Sequence, residues 1–236
     1  MKKKILILGG SSDIGSKVVL EFLNNGWQVF AHFNKKKNIF KNSIKNRTNL
    51  VYVKCNFDKI NDYEKFIKRI SKEKIDSIIN LVGYIDNISY QKTNIFSLIK
   101  SLKINTIVPL LIQKKLIPFM IKKNFGRILN ISSIGIKYGG GEFNFNYSFS
   151  KHALEFIPKY LRGLSQKNIL TNILRVGFVN TKMHKRIKNK NISNRIKLIP
   201  MKRSATKEEV SKLIFFLASE KNTYITNETI TIAGGE

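Results

Sequence analysis

Residues 4–15 read KILILGGSSDIG. Lys4 leads into four apolar residues, Ile5 to Leu8, and a glycine pair closes the run. A short apolar run bounded in this way predicts a strand covered on both faces. The glycines permit a tight turn, and a helix over about 13–25 follows. Strand, glycine turn and helix N-terminus together make a phosphate cradle, because backbone N–H groups approach closely and the helix end carries partial positive charge. Gly9, Ser11, Ser12, Asp13, Ile14 and Gly15 are the expected contacts of a dinucleotide pyrophosphate.

The same rhythm continues outward. Strand patterns fall at 28–33, 50–55, 76–82, 127–132, 170–176 and 229–232. Helical patterns fall at about 60–72, 91–103, 105–123, 147–166 and 206–219. Asp58, Asn61 or Asp62 is expected to cap the second helix, and Thr206 with Glu209 forms a capping-box pattern for the last. Such alternation predicts βαβ units with right-handed crossovers. The fold class is therefore α/β: a single doubly wound (Rossmann) domain over 1–236, with about seven parallel strands and helices on both faces. The 105–123 pattern is apolar nearly all round (Ile107, Leu110, Leu111, Leu116, Ile117, Met120), which predicts burial beyond its own sheet. Pro158 should kink the 147–166 helix.

The chain has 236 residues, 42% hydrophobic and 25% charged, an ordinary globular composition. A single cysteine, Cys55, excludes an internal disulfide framework and reads as a small core residue, as Trp27 reads as core at a turn. No His, Cys, Asp or Glu spacing suggests a metal site. No apolar run approaches the roughly 20 residues of a membrane span. MKKK before Ile5–Leu8 imitates a signal peptide, but the apolar stretch is too short, so a cytoplasmic protein is expected. Lys and Arg total 43 against 15 Asp and Glu, a formal net charge of +28. The lysines are spread along the chain and Asn and Ile are also abundant, so compositional bias accounts for the charge better than a nucleic-acid partner does. The 178–203 segment holds nine Lys/Arg and no acid from Lys182 to Arg203. It is too polar for a core element and reads as a basic lid or mobile loop.

Several residues at strand ends carry chemistry. After the second strand come His32, Phe33, Asn34, Lys35, Lys36 and Lys37, with no acid among them. An acid there would bind a ribose 2′-hydroxyl, whereas basic groups accept a 2′-phosphate, so Asn34 and Lys35 favour NADP(H), with NAD(H) the second choice. Tyr147 and Lys151 stand at i,i+4 on one helix face, where an ammonium should lower the Tyr pKa. With eight tyrosines and abundant lysine, the pair matters only in company. That company is Ser133 after Ile131-Ser132, Asn80-Leu81-Val82-Gly83 after the fourth strand, and Asn105 in a helical stretch. His32, His152 and His184 have no ligand spacing and read as incidental.

Taken together these residues resemble the short-chain dehydrogenase/reductase family over essentially the whole chain: GGSSDIG (9–15), NLVG (80–83), Asn105, ISS (131–133), YSFSK (147–151), RVGFVNT (175–181) and YITNETITIAGG (224–235). The stretch 199–226 is most similar to 3-oxoacyl-acyl-carrier-protein reductases. The resemblance implies that Tyr147 is the general acid, Ser133 orients the carbonyl, Lys151 lowers the Tyr147 pKa and holds the nicotinamide ribose, and Asn105 supports a water leading from Lys151 to solvent. It also implies cofactor contacts at Asn56, Phe57, Asn80, Val82, Gly83, Tyr147, Lys151, Gly177, Val179 and Thr181, and a homotetramer or homodimer. The chain departs from the family pattern at Leu8 (usually Thr, whose side chain bonds at the turn), Asp13 (often Gly), Leu81-Val82, Asn56 (usually an acid), Val176-Gly177 (usually Pro-Gly) and in a Ser133–Tyr147 spacing about one residue longer. The substrate is a carbonyl or alcohol, with a 3-oxoacyl thioester on acyl carrier protein or CoA as the first expectation. The basic segment and Lys122, Lys123 and Lys167 are candidates for docking an acidic carrier. A sugar, nucleotide-sugar or other small alcohol is the alternative, and Phe143, Phe145 and Phe149 would line either substrate, although Phe149 reads equally as core. A non-catalytic cofactor- or polyanion-binding protein is the third. No specific nucleic acid and no membrane is expected.

Overall fold

A computed structural model describes residues 2–35, 47–183 and 192–236. Seven strands form one parallel sheet in the order β3-β2-β1-β4-β5-β6-β7. They are β1 (Lys4–Leu8), β2 (Gln28–Phe33), β3 (Leu50–Lys54), β4 (Ser77–Asn80), β5 (Gly126–Ser133), β6 (Ile169–Val176) and β7 (Thr229–Ile232). The helices are α1 (Asp13–Asn24), α2 (Ile60–Ile70), α3 (Ile95–Leu102), α4 (Val108–Lys123), α5 (Phe145–Leu154), α6 (Lys159–Gly163), α7 (Ile192–Lys197) and α8 (Lys207–Ala218).

Alternation along β1 shows why the central strands are apolar throughout. Ile5 and Ile7 join a core built with Val18, Phe22 and Ile214 of α1 and α8. Leu6 and Leu8 face the other way, onto Phe66, Ile112 and Leu116 of α2 and α4. Each side chain meets a helix layer, because successive residues point to opposite faces. The sheet edges relax this demand, and β7 is only partly buried. Trp27 is buried, edge-on to Phe22 at 5.2 Å, and Cys55 is buried in the other core.

Four local expectations need correction. Lys59, not Asp58, Asn61 or Asp62, precedes α2, and it makes no side-chain cap. Asp62 instead accepts from the Asn56 amide at 3.3 Å, and Asp58 pairs with Lys100 at 3.0 Å and Lys103 at 3.2 Å. The 147–166 helix is not kinked but divided. α5 stops at Leu154 and Pro158 caps α6, because proline lacks an N–H and pushes the residue before it out of the helical region. α3, a π-helical turn at Lys103–Ile107 and α4 run on as one helical stretch, Ile95–Lys123, which by length and apolar composition does match a membrane span. Its inner side is the core wall against the sheet. Its outer side is less covered than expected, for Ile107 is 45% and Leu111 40% exposed. Lastly, residues 184–191 of the 178–203 segment lie outside the described residues, and the rest is partly core: Phe178, Val179 and Ile199 are buried, and Val179 bridges to Ala205. The Thr206–Glu209 capping box forms as expected.

Candidate active site

The chain runs β1-β2-β3 to one side of β1, then returns to place β4 on the other. A crevice opens at the carboxyl ends of β1 and β4, the usual ligand position in such sheets. The glycine loop occupies it. Gly9 has φ +79, and a Cβ there would lie 3.0 Å from the Leu81 carbonyl group. A Cβ on Gly15 would strike the Gly9 oxygen at 2.3 Å. Ser12 caps α1 by accepting from the Gly15 amide at 3.0 Å. The first-turn amides of α1 have no intrahelical acceptor by position, so the loop fits an anionic group such as a pyrophosphate.

Asn80 ends β4 facing Leu8 of β1. Its Nδ2 donates to the Asn105 carbonyl at 3.2 Å, and its Oδ1 accepts from the Val82 amide at 3.2 Å. The Val82 carbonyl accepts from Lys151 Nζ at 2.8 Å, and the Ile131 carbonyl accepts from the same nitrogen at 2.7 Å. Lys151 is buried, and loss of hydration pulls its pKa down to about 7. Its Nζ lies 5.9 Å from the Tyr147 ring centre. The Ser133 hydroxyl lies near enough to Tyr147 to lower its pKa, and Ser133 Oγ accepts from the Gly135 amide at 3.2 Å. Ser133, Tyr147 and Lys151 thus converge beside the glycine loop.

One electrostatic expectation is reversed. Burial pushes the Tyr147 pKa up to about 12, opposed only by the Ser133 hydrogen bond. The Lys151 nitrogen is tied to two carbonyls, and desolvation decides the direction of the shift.

Asn105 is fully buried. Its side chain brackets Tyr84, accepting from the Tyr84 amide at 2.7 Å and donating to its carbonyl at 3.0 Å, and it also donates to Ser150 Oγ at 2.8 Å. It therefore joins the loop after β4 to the Tyr147 helix.

Other expected contacts spread around this centre. Asn34 and Lys35 are exposed just past β2, while Lys36, Lys37 and His184 lie outside the described residues. Asn56 Oδ1 accepts from the Asp58 amide at 3.0 Å. The Phe57 ring is buried, stacked on His32 with centroids 4.4 Å apart. Gly177 serves packing, since a Cβ there would lie 2.6 Å from Ala233 Cα. Thr181 is buried, and the next amide, Lys182, donates to Asp13 Oδ2 at 2.7 Å. Phe149 is 44% exposed, not core. Lys122, Lys123 and Lys167 sit at the amino ends of β5 and β6, a strand length of roughly 25 Å from the crevice. Lys123 also pairs with buried Asp76. They lie at the end of the sheet away from Tyr147.

The sequence reading missed three features. Met183 reaches the crevice, because a Cβ on Gly83 would lie 2.7 Å from its Cε and 3.6 Å from the Tyr147 ring. Asn146, fully buried, donates to Asp86 at 2.6 Å and Ser97 at 3.1 Å, tying the loop before α3 to the start of the Tyr147 helix. His32 is not incidental: it is buried, and both ring nitrogens are bonded. Of these, only Asn146 stood beside a suspected residue.

A family model described as enoyl-(acyl carrier protein) reductase matches residues 9–236. The 3-oxoacyl-[acyl-carrier-protein] reductase FabG of Buchnera aphidicola subsp. Schizaphis graminum is 34% identical over 239 residues, covering 99% of this chain and 97% of the relative. Among solved structures, an NADP-bound 3-oxoacyl (acyl-carrier-protein) reductase from Agrobacterium tumefaciens has a TM-score of 0.87 at 21% identity, covering 99% of this chain and 94% of that one. ElxO with NADP bound has a TM-score of 0.84 at 26% identity, covering 100% and 98%.

Proposed function

The chain belongs to the short-chain dehydrogenase/reductase family, as an NAD(P)-dependent oxidoreductase, and from that premise we propose that it reduces a 3-oxoacyl thioester to the 3-hydroxyacyl product with NADPH. The observation that carries this reading is the convergence of Ser133, Tyr147 and buried Lys151 beside the glycine loop. The dinucleotide, when bound, supplies the hydride. Gly9, Ser11, Ser12, Asp13, Ile14 and Gly15 would hold its pyrophosphate, with Asn34 and Lys35 near the adenosine ribose and Asn56, Val82 and Gly83 along the crevice. Ser133 orients the substrate carbonyl and Tyr147 donates its proton to that oxygen. Asn105 holds the Tyr84 loop and the Tyr147 helix in register.

The high Tyr147 pKa suits this direction. At neutral pH the phenol keeps its proton, the form a reductase needs. The sign follows: reduction should show no fall from Tyr147 titration below pH 10, whereas oxidation of the 3-hydroxyacyl thioester, which needs the phenolate, should rise up to about tenfold per pH unit. Initial rates in both directions from pH 6 to 10 check this, and a level oxidation profile would contradict it.

NADP preference is supported by the NADP-bound neighbours and by Asn34 and Lys35 where an acid would favour NAD. Fluorescence titration at moderate salt should give saturable NADPH binding at least tenfold tighter than NADH. Acetoacetyl-CoA should then be turned over and crotonyl-CoA should not. Turnover of the enoyl thioester alone would overturn the ketone reading, and tighter NADH binding would overturn the cofactor reading. The exposed apolar side chains of α3, α4 and α5, among them Phe96, Ile99 and Phe149, support a homodimer or homotetramer.

A further inference from the structure

His32 lies near the carboxyl end of β2, between β1 and β3, with 4% of its surface exposed. Its Nδ1 accepts from the Gly9 amide at 3.1 Å, and its Nε2 lies 3.0 Å from the Cys55 carbonyl oxygen. An amide can only donate and a carbonyl only accept, so both bonds together require the neutral Nε2–H tautomer. Burial keeps the ring neutral, with its pKa lowered to about 4. Phe57 stacks on one face, nearly parallel at 6°, and Phe66 meets the ring edge-on at 5.7 Å. The ring therefore has one orientation.

What it holds is the pivot of the glycine loop. The Gly9 carbonyl accepts from the Ser12 amide at 3.0 Å, and Ser12 caps α1. Gly9 also packs on Leu81 and Val82, and the Val82 carbonyl receives Lys151. The side chain of Leu8, directly before the pivot, is fully buried in the apolar core and offers no hydrogen-bonding group. The Gly9 amide has its acceptor from the neighbouring strand instead.

We infer that His32 is the positioning residue of the cofactor loop: its imidazole bridges the Gly9 amide to the end of β3 and so sets the first turn of α1 and the Val82 strand end. The effect on cofactor binding rests on the reading of the crevice given above. The bridge to Gly9 does not.

Two variants separate positioning from bulk. His32→Leu keeps an apolar side chain of moderate size but cannot accept or donate. His32→Gln restores one acceptor and one donor. NADPH affinity of His32→Leu should fall at least tenfold with kcat at saturating NADPH within about threefold, and the Gly9 amide should exchange with solvent at least tenfold faster. His32→Gln should bring both back to within about threefold of the parent. Loss of kcat equal to the loss of affinity, or no difference between the Leu and Gln variants, overturns the inference. The parent protein gives a third readout that needs no variant: nitrogen NMR should find Nδ1 unprotonated, with a coupling across the hydrogen bond to the Gly9 nitrogen. A protonated Nδ1 overturns the inference even if His32→Leu fails to fold. If that coupling and the slow Gly9 exchange are present but NADPH does not bind the parent, the bridge stands and the cofactor reading falls.

Discussion

Tyr147→Phe should lower thioester reduction by about 10³-fold while leaving NADPH affinity within about threefold. The substitution removes one oxygen and keeps the ring that packs near Gly83 and Met183. A positioned general acid contributes roughly 10² to 10⁴ in rate, and the expected loss lies in the middle of that range. Ser133 would lose its phenolic partner but keep the Gly135 amide as a donor, so its own orientation should survive. Single-turnover kinetics with preloaded NADPH isolates the chemical step, and fluorescence titration measures affinity. Retention of more than a tenth of the parent rate would remove Tyr147 from the acid role. A matched loss of affinity would instead mean that the hydroxyl holds the cofactor.

How far the residues could be read without coordinates depended on how local their interactions are. The run from Ile5 to Gly15 declared a strand, turn and helix because each step is set within a few residues. Tyr147 and Lys151 shared a face because helix geometry alone decides that. His32 was opaque: its partners Gly9 and Cys55 lie 23 residues away on either side, and only β2 pairing between β1 and β3 brings them together. The Tyr147 pKa was misjudged because spacing shows a neighbouring ammonium but not the water excluded around the phenol. Lys122 and Lys123 looked available for docking because composition does not say which end of a strand a loop occupies. Pro158 was seen as a breaker, yet whether the chain kinks or starts a new helix depends on what Phe156 and Ile157 pack against. Ile157 is buried and Phe156 is not.

Arg127→Leu should be the most destabilising single substitution tested, with the thermal midpoint lowered by about 6–20 °C and turnover of the remaining folded enzyme unchanged. Arg127 opens β5 at the amino edge of the sheet, away from the crevice, and is 2% exposed. Its Nε donates to the Ser219 and Asn222 carbonyls at 3.2 and 3.1 Å. One terminal nitrogen donates to Asn222 at 2.8 Å, and the other to the Gly126 and Asn168 carbonyls at 2.8 and 2.9 Å. The guanidinium also lies over the Phe125 ring at 4.4 Å. It therefore ties the end of α8 and the loop before β6 to the start of β5. A buried ion pair is often replaceable by hydrocarbon, because both charges leave together. Here the acceptors are backbone carbonyls, which no substitution at residue 127 removes: the Ser219 and Asn168 carbonyls keep the Asn222 and Gly126 amides as donors, but the Asn222 carbonyl loses both of its bonds to Arg127. Each orphaned carbonyl costs about 1–3 kcal/mol, less where solvent or relaxation reaches it, and a total of about 3–5 kcal/mol is in keeping with the loss of a buried polar hub. For a chain of this size each kcal/mol moves the midpoint by about 2–4 °C. Arg127→Lys keeps the charge but offers a single nitrogen in place of a planar fork, and should fall between the parent and the leucine variant. Differential scanning calorimetry on the three proteins, with turnover measured at 20 °C, decides the matter. A midpoint within 2 °C of the parent for Arg127→Leu would show that the clamp contributes nothing net.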